Sequence, residues 1–162
     1  MIIEGTRIRI SEGEIREAAA ALTGSGDMQL RELRLYEGGI YLDGTVNSPM
    51  VFHPRLQLEP VGTLQSHLRF RVGGQLGLGP FSVDTALGLI SSKFPPGVSY
   101  MGSSTIDVDL EVASGRLLSA VDVASIVLVP GELQLDVNRV ALSSHAIVKW
   151  LTNEHNIARG FH

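Results

Sequence analysis

Three acidic side chains at alternate positions, Asp107, Asp109 and Glu111, form the densest group in the chain that could do chemistry. On an extended strand, residues two apart share a face and lie about 6–7 Å from each other. Three carboxylates held that way could take a hard cation such as calcium, which prefers oxygen ligands. The same pattern describes a solvated outer sheet face, paired across the sheet with Arg69 and Arg71, and this is the stronger reading. The second candidate is Gly77-Leu78-Gly79-Pro80-Phe81-Ser82, a Gly-x-Gly-x-x-Ser run between a strand and a helix. A helix N-terminus behind such a turn can bind a pyrophosphate. Here the preceding strand alternates polar and apolar, whereas a parallel strand buried on both faces reads as a continuous apolar run. Pro80 also removes an amide that a phosphate would use. The run is read as a plain loop.

The five histidines, His53, His67, His145, His155 and His162, show no metal-ligand spacing, and His-Glu-x-x-His is absent. Ser143-Ser144-His145 is not a nucleophile elbow, because Gly-x-Ser-x-Gly does not occur. A dispersed hydrolytic site would have to draw on His53, His67 or Asp107. The chain has no cysteine, which excludes disulfides, thiolate metal sites and cysteine nucleophiles. No catalytic residue, no metal ligand and no cofactor is expected.

Net charge is -4 over 162 residues, and the basic residues are scattered. A nucleic-acid surface or a polybasic lipid anchor would need them clustered. No stretch approaches the ~20 apolar residues of a membrane span. Met1-Ile2-Ile3-Glu4-Gly5 lacks the basic start and apolar run of a signal peptide. The expectation is a cytoplasmic protein with no transmembrane segment, folded as a single domain over 1–162.

The elements follow from periodicity. Thr6–Ile10 alternates Ile8 and Ile10 with Arg7 and Arg9, a half-buried strand. Ser11 and Glu14 make a capping box for a helix with Ile15, Ala18, Ala19 and Leu22 on one face, ended at Gly24. Gln29–Val46 reads as a hairpin turning at Glu37-Gly38-Gly39. Val51–Leu58 is a strand bent at Pro54. Leu64–Val72 points Leu68, Phe70 and Val72 inward. Ile106–Val112 alternates apolar residues with the three carboxylates. Leu117–Ala124 is ambiguous, and Ser125–Val129 with Leu133–Val137 forms a second hairpin about Pro130-Gly131. Ser143–Ile157 closes the chain as a helix with Ile147, Trp150 and Leu151 on one face.

Phe81–Phe94 is the stretch the rest is expected to pack around. Val83, Ala86, Leu87 and Ile90 share a helical face, Leu89 and Phe94 widen it, and Ser82 is the N-cap. A helix without a polar face is buried. Pro95-Pro96-Gly97 stops it. Strands that run consecutively, each with one polar side, make the class α+β. The expected architecture is a large curved antiparallel sheet of about eight strands on a central apolar helix, with amphipathic helices at both termini.

This order of elements, from Ser11–Leu22 through Leu33–Leu42 and Leu68–Val72 to Phe94-Pro95-Pro96-Gly97-Val98 and Ile106–Val112, resembles the bacterial LmeA-like phospholipid-binding proteins. These are relatives of the tubular lipid-binding superfamily. The resemblance covers Ile8 to Val137 and implies a curved sheet on a long helix that binds phospholipid or another apolar molecule without chemistry. The chain departs from such relatives in lacking an export signal or anchor. It is also short, so it would supply half a tube and complete it as a homodimer. The apolar ligand or lipid is expected against Leu68, Phe70, Val83, Leu87, Ile90, Phe94, Ile106 and Val108. The alternative is a structural or adaptor protein that assembles through a sheet edge or its C-terminal helix.

Overall fold

The computed structural model describes residues 1–23, 26–47, 50–75, 77, 82–145, 147–149, 151 and 152, with the side chains of 21–23 outside the description. In chain order the elements are β1 (Ile2–Ser11), α1 (Glu12–Thr23), β2 (Met28–Tyr36), β3 (Gly39–Val46), β4 (Arg55–Leu64) and β5 (His67–Gln75). They continue with α2 (Val83–Ile90), a 3-10 turn (Ser91–Lys93), β6 (Val98–Gly102), β7 (Thr105–Asp109), α3 (Leu110–Ala113), β8 (Leu118–Val129) and β9 (Glu132–Leu142). Mostly antiparallel sheet with a few helices makes this an α+β chain. The strands divide between two sheets, ordered β1-β9-β8 and β2-β3-β4-β5-β7-β6, instead of forming one sheet of about eight. No described helix is long and apolar enough to cross a membrane.

The six-stranded sheet has one continuous apolar face. Leu35 pairs with Ile40, Ile40 with Leu58, and Leu58 with Val72; Phe70 pairs with Ile106. The three-stranded sheet turns Ile8, Ile10, Leu128, Leu133, Leu135 and Val137 into the same apolar cluster. Arg7 faces the other way and forms a 2.8 Å ion pair with its cross-strand neighbour Asp136.

Three expectations change in detail. The strand expected over Val51–Leu58 is reduced at its start to a bridge from Phe52 to Val46, and β4 proper begins after Pro54. It then runs past Pro60 to Leu64, because a bulge between Pro60 and Gly62 accommodates the residue that cannot donate to the ladder. The alternation through Val112 does not continue as strand. Asp109 Oδ1 accepts from the Glu111 amide at 3.0 Å and caps α3, so the chain leaves the sheet there. Finally, β6 has no counterpart among the expected elements. Its turn into β7 is Ser103-Ser104, with φ of 51° and 55°, where positive φ usually selects glycine or asparagine.

The central helix is shorter and more one-sided than its composition suggests. α2 has eight residues. Ser82 caps it as expected, accepting from the Thr85 amide at 3.2 Å. Ala86, Leu87 and Ile90 are buried, but Leu89 is 48% exposed. Phe81 lies outside the described residues. So do Gly24, Leu78, Gly79, Pro80, Trp150, His155, Ile157 and His162. The described residues between 144 and 152 are helical, with Leu151 half exposed.

α1 does more than bury Ile15 and Ala19. The capping box is present: the Ser11 amide donates to Glu14 Oε2 at 2.8 Å and the Glu14 amide to Ser11 Oγ at 3.2 Å. Glu12 and Arg16 pair at 2.7 Å. Together they reach the unpaired edge of β2, where Glu12 Oε2 accepts from the Leu35 amide at 3.0 Å and Arg16 donates to the Leu33 carbonyl at 3.0 Å. A strand edge left open is a template for another chain. Ser11→Ala is expected to cost about 1 kcal/mol in urea unfolding, the usual worth of such a cap. Glu12→Ala should cost a similar amount, since it orphans the Leu35 amide at about 1–3 kcal/mol before water returns. It alone should also produce concentration-dependent association in gel filtration. A Glu12→Ala protein that stays monomeric at high concentration would show that α1 does not guard this edge.

Candidate functional site

The inner face of the six-stranded sheet is longer than the helices that cover it. α1 crosses the β2 end and α2 the β5–β6 end. Between them lies a half-open pocket of about 210 Å³. Its floor is Leu30 of β2, Leu42 of β3, Leu56 and Leu58 of β4, Val72 of β5 and Ile106 of β7. Ala19 of α1 forms one wall; Leu87, Ile90 and Phe94 form the other, with Val98 of β6 beside them. The surface these groups present is almost wholly apolar.

Small residues form part of the lining. Ala19 presents only a methyl group. Gly44, paired with Leu30, lines the floor without a side chain, and a Cβ there would come within 2.7 Å of the Gln29 carbonyl oxygen. Medium-sized aliphatic residues do not reach across the gap, although protein interiors are otherwise close-packed.

Of the eight residues expected to meet a ligand, Leu87, Ile90, Phe94 and Ile106 line this pocket. Leu68, Phe70, Val83 and Val108 do not. Leu68 and Phe70 are buried in the core, and Val83 and Val108 are partly buried against it. The pocket thus sits nearer the β2–β4 end of the sheet than expected. Met28, Leu30, Leu42 and Leu56 were identifiable only once β2 and β3 were seen to share a floor with β4 and β5.

Two polar clusters lie near the six-stranded sheet, one on α2 and one on the outer face. Asp84 of α2 accepts from the Tyr100 hydroxyl and the Ser104 amide, and Ser104 Oγ donates to its second oxygen at 3.1 Å. These bonds, the Tyr100 one foremost, hold the Asp84 carboxyl below its usual pKa and raise that of Tyr100. They pin α2 to the β6–β7 turn.

The second cluster is where the three carboxylates were expected to form a row. Asp107 and Asp109 keep one face of β7, where both meet His67, and Glu111 leaves the row. Asp107 lies on the outer face, yet it is only 6% exposed, because His67 Nδ1 sits 2.6 Å from its Oδ2 and Arg69 Nε 3.5 Å from its Oδ1. That Oδ1 accepts no hydrogen bond among the described residues. Asp109 caps α3 and accepts from Ser66 Oγ at 3.0 Å. Glu111 is in α3. No group of three or more potential metal ligands occurs among the described residues. Arg71 stands opposite Thr105, so Arg69 and His67 supply the pairing expected of Arg69 and Arg71. The alternation His67-x-Arg69 against Asp107-x-Asp109 was the available signal for it.

This cluster contains two members of a catalytic triad and lacks the nucleophile. His67 and Asp107 are spaced as base and orienting carboxylate. His67 Nε2, however, faces Asp109 Oδ2 at 3.8 Å, and Ser66 Oγ is committed to Asp109. His53 is elsewhere, 3.2 Å from Thr45 Oγ1. Comparison with protein-family models, curated proteins and solved structures finds no match in any of the three.

The cluster does make stability depend on pH. The hydrogen bond to Asp107 holds the His67 pKa above its ordinary 6.5, with further help from the charges of Asp107 and Asp109 against burial and Arg69. Burial pushes Asp109 up, but the bonds from Ser66 and the Glu111 amide, with the charge of His67, hold it below 3.8. A raised His67 stabilises fully below pH 6.5, and that contribution is lost as pH rises through the folded value. The lowered Asp84 and Asp109 stabilise above pH 3.8 and lose their contributions as pH falls through their folded values. Urea midpoints recorded against pH should show both limbs. His67→Gln should flatten the limb just above pH 6.5 and leave the acid limb in place; an unchanged upper limb would count against this assignment.

Proposed function

We propose that this protein binds a lipid or similar apolar molecule, without transforming it, in the pocket between the β2–β5 floor, α1 and α2. The observation that supports this is the pocket itself: about 210 Å³ of space, half open and walled by aliphatic side chains and Phe94. Ligand pockets of this kind bind through apolar area, and the few polar groups nearby set orientation. The resemblance to LmeA-like phospholipid-binding proteins implies the same ligand class. The second reading, assembly of two copies through the C-terminal helix, is favoured by Val148 and Leu151, which stand 58% and 50% exposed. In the lipid reading a homodimer would extend the short sheet toward a fuller tube.

Native mass spectrometry of freshly purified protein addresses both readings in one spectrum. Adducts in the mass range of lipids, lost on denaturation, are expected on the wild type. Ala19→Leu, which adds three carbons into the pocket on a residue with strong helix propensity, should abolish them. By filling a cavity it should also stabilise the protein by about 1 kcal/mol. Failure of delipidated wild type to take up any fatty acid or phospholipid, with no difference between it and Ala19→Leu, would overturn the binding reading. Dimers that persist at low concentration would support assembly.

A further inference from the structure

Lys93 is one of two lysines in the chain, and it directly precedes Phe94 of the pocket wall. Its Nζ is 2.7 Å from Asp27 Oδ2. Residues close to both in sequence line the pocket: Met28 follows Asp27, Phe94 follows Lys93, and Ile90 precedes it by three. The ion pair therefore joins the residue before β2 to the turn after α2, beside residues that line the pocket. Lys93 is the more enclosed partner, with its side chain 27% exposed against 58% for Asp27. Asp27 is held by its backbone, whose carbonyl accepts from the Asn47 amide at 2.8 Å, so its side chain is free to turn away without moving the strand.

An almost wholly apolar pocket with a lysine beside its lining selects for a particular shape of molecule; Asp43, which also lines it, is already paired with both Arg31 and Arg55. The tail is limited by volume. An apolar cavity of about 150 Å³ accepts the six carbons of benzene. On that scale 210 Å³ suits a tail of about eight carbons. The head must remain at the opening, where Lys93 offers a positive charge already accustomed to a carboxylate.

Building on the apolar-ligand reading above, we infer that the ligand is a single-chain amphiphile with an anionic head and about eight tail carbons, its head replacing Asp27 on Lys93 Nζ. A charge-assisted bond at a partly enclosed site gives about tenfold in affinity. Each methylene buried adds about fourfold until the pocket is full.

Calorimetric titration with butanoate, hexanoate, octanoate, dodecanoate and octan-1-ol tests this directly. Octanoate is expected to bind about tenfold more tightly than octan-1-ol. Lys93→Met should erase that difference while keeping the octan-1-ol affinity, which also shows that the variant folds. Asp27→Asn, which leaves Lys93 without its resident carboxylate, should strengthen octanoate binding several-fold and leave octan-1-ol unchanged. Affinity should climb with chain length and level off near eight carbons. Equal binding of acid and alcohol, unaffected by Lys93→Met, would overturn the assignment of the head while the apolar-ligand reading stands. A fourfold gain per methylene continuing to dodecanoate would overturn the tail length. Absence of binding by every member of the series would overturn this inference together with the reading beneath it.

Discussion

Two sheets that share one core must still find partners for the backbone where they part, and this requirement organises the molecule. At one end the free edge of β2 is satisfied by Glu12 and Arg16 of α1, and by the β8–β9 turn, whose Gly131 amide donates to the Leu35 carbonyl at 3.0 Å. At the other end the β4–β5 turn offers two carbonyls. Gln65 accepts from Val123 of β8 and Ser66 from Leu110 of α3, each at 2.9 Å. β8 can reach that turn because bulges interrupt its register with β9 on both sides of Val123. The bulged stretch includes Ala120 at φ 47°, a conformation a residue with a side chain adopts only under constraint. An unpaired buried amide costs about 1–3 kcal/mol. The strain in β8 is therefore offset by the partners it secures.

The same polar anchors account for the apolar gap. α1 is tied to β2 by a carboxylate and a guanidinium. α2 is tied by Asp84 to the β6–β7 turn. Each helix is positioned by its own bonds to a different part of the sheet, and neither is positioned by contact with the other. Closing the space between them would break one set. The gap is thus maintained by groups that do not line it, while Ala19 puts only a methyl group into it.

Local patterns carried through to the structure wherever one face meets water. The capping box at Ser11 and Glu14, the alternation in β1 and β5, the Ser82 cap and both hairpin turns follow from the residues themselves. Division into two sheets did not follow, because a strand's alternation shows that one face is buried and not which sheet buries it. The alternation of Ile106–Val112 outruns its strand, since a cap from Asp109 competes with the ladder at a point where the alternation continues unbroken. The pocket was half legible. Its α2 wall could be named from periodicity, but the β2 and β3 floor depended on strand order. The partners of Asp107 are half legible: Arg69 stands opposite it as the cross-sheet pairing implies, but His67 takes the place expected of Arg71, and together they leave the carboxylate buried.

The register of β1 also dictates an order of events during synthesis. Ile2 pairs with Ala141 and Ile10 with Leu133, so β1 lacks its sheet partner until β9 exists. At about 5–20 residues per second, translation leaves Ile8 and Ile10 without their neighbours for roughly ten seconds. The six-stranded sheet needs only consecutive hairpins and can assemble in that interval as it emerges. The nascent chain thus passes through a state in which the larger sheet is complete and an alternating, edge-competent strand hangs from it. Chaperones that hold exposed apolar segments near the ribosome would meet this protein in that state.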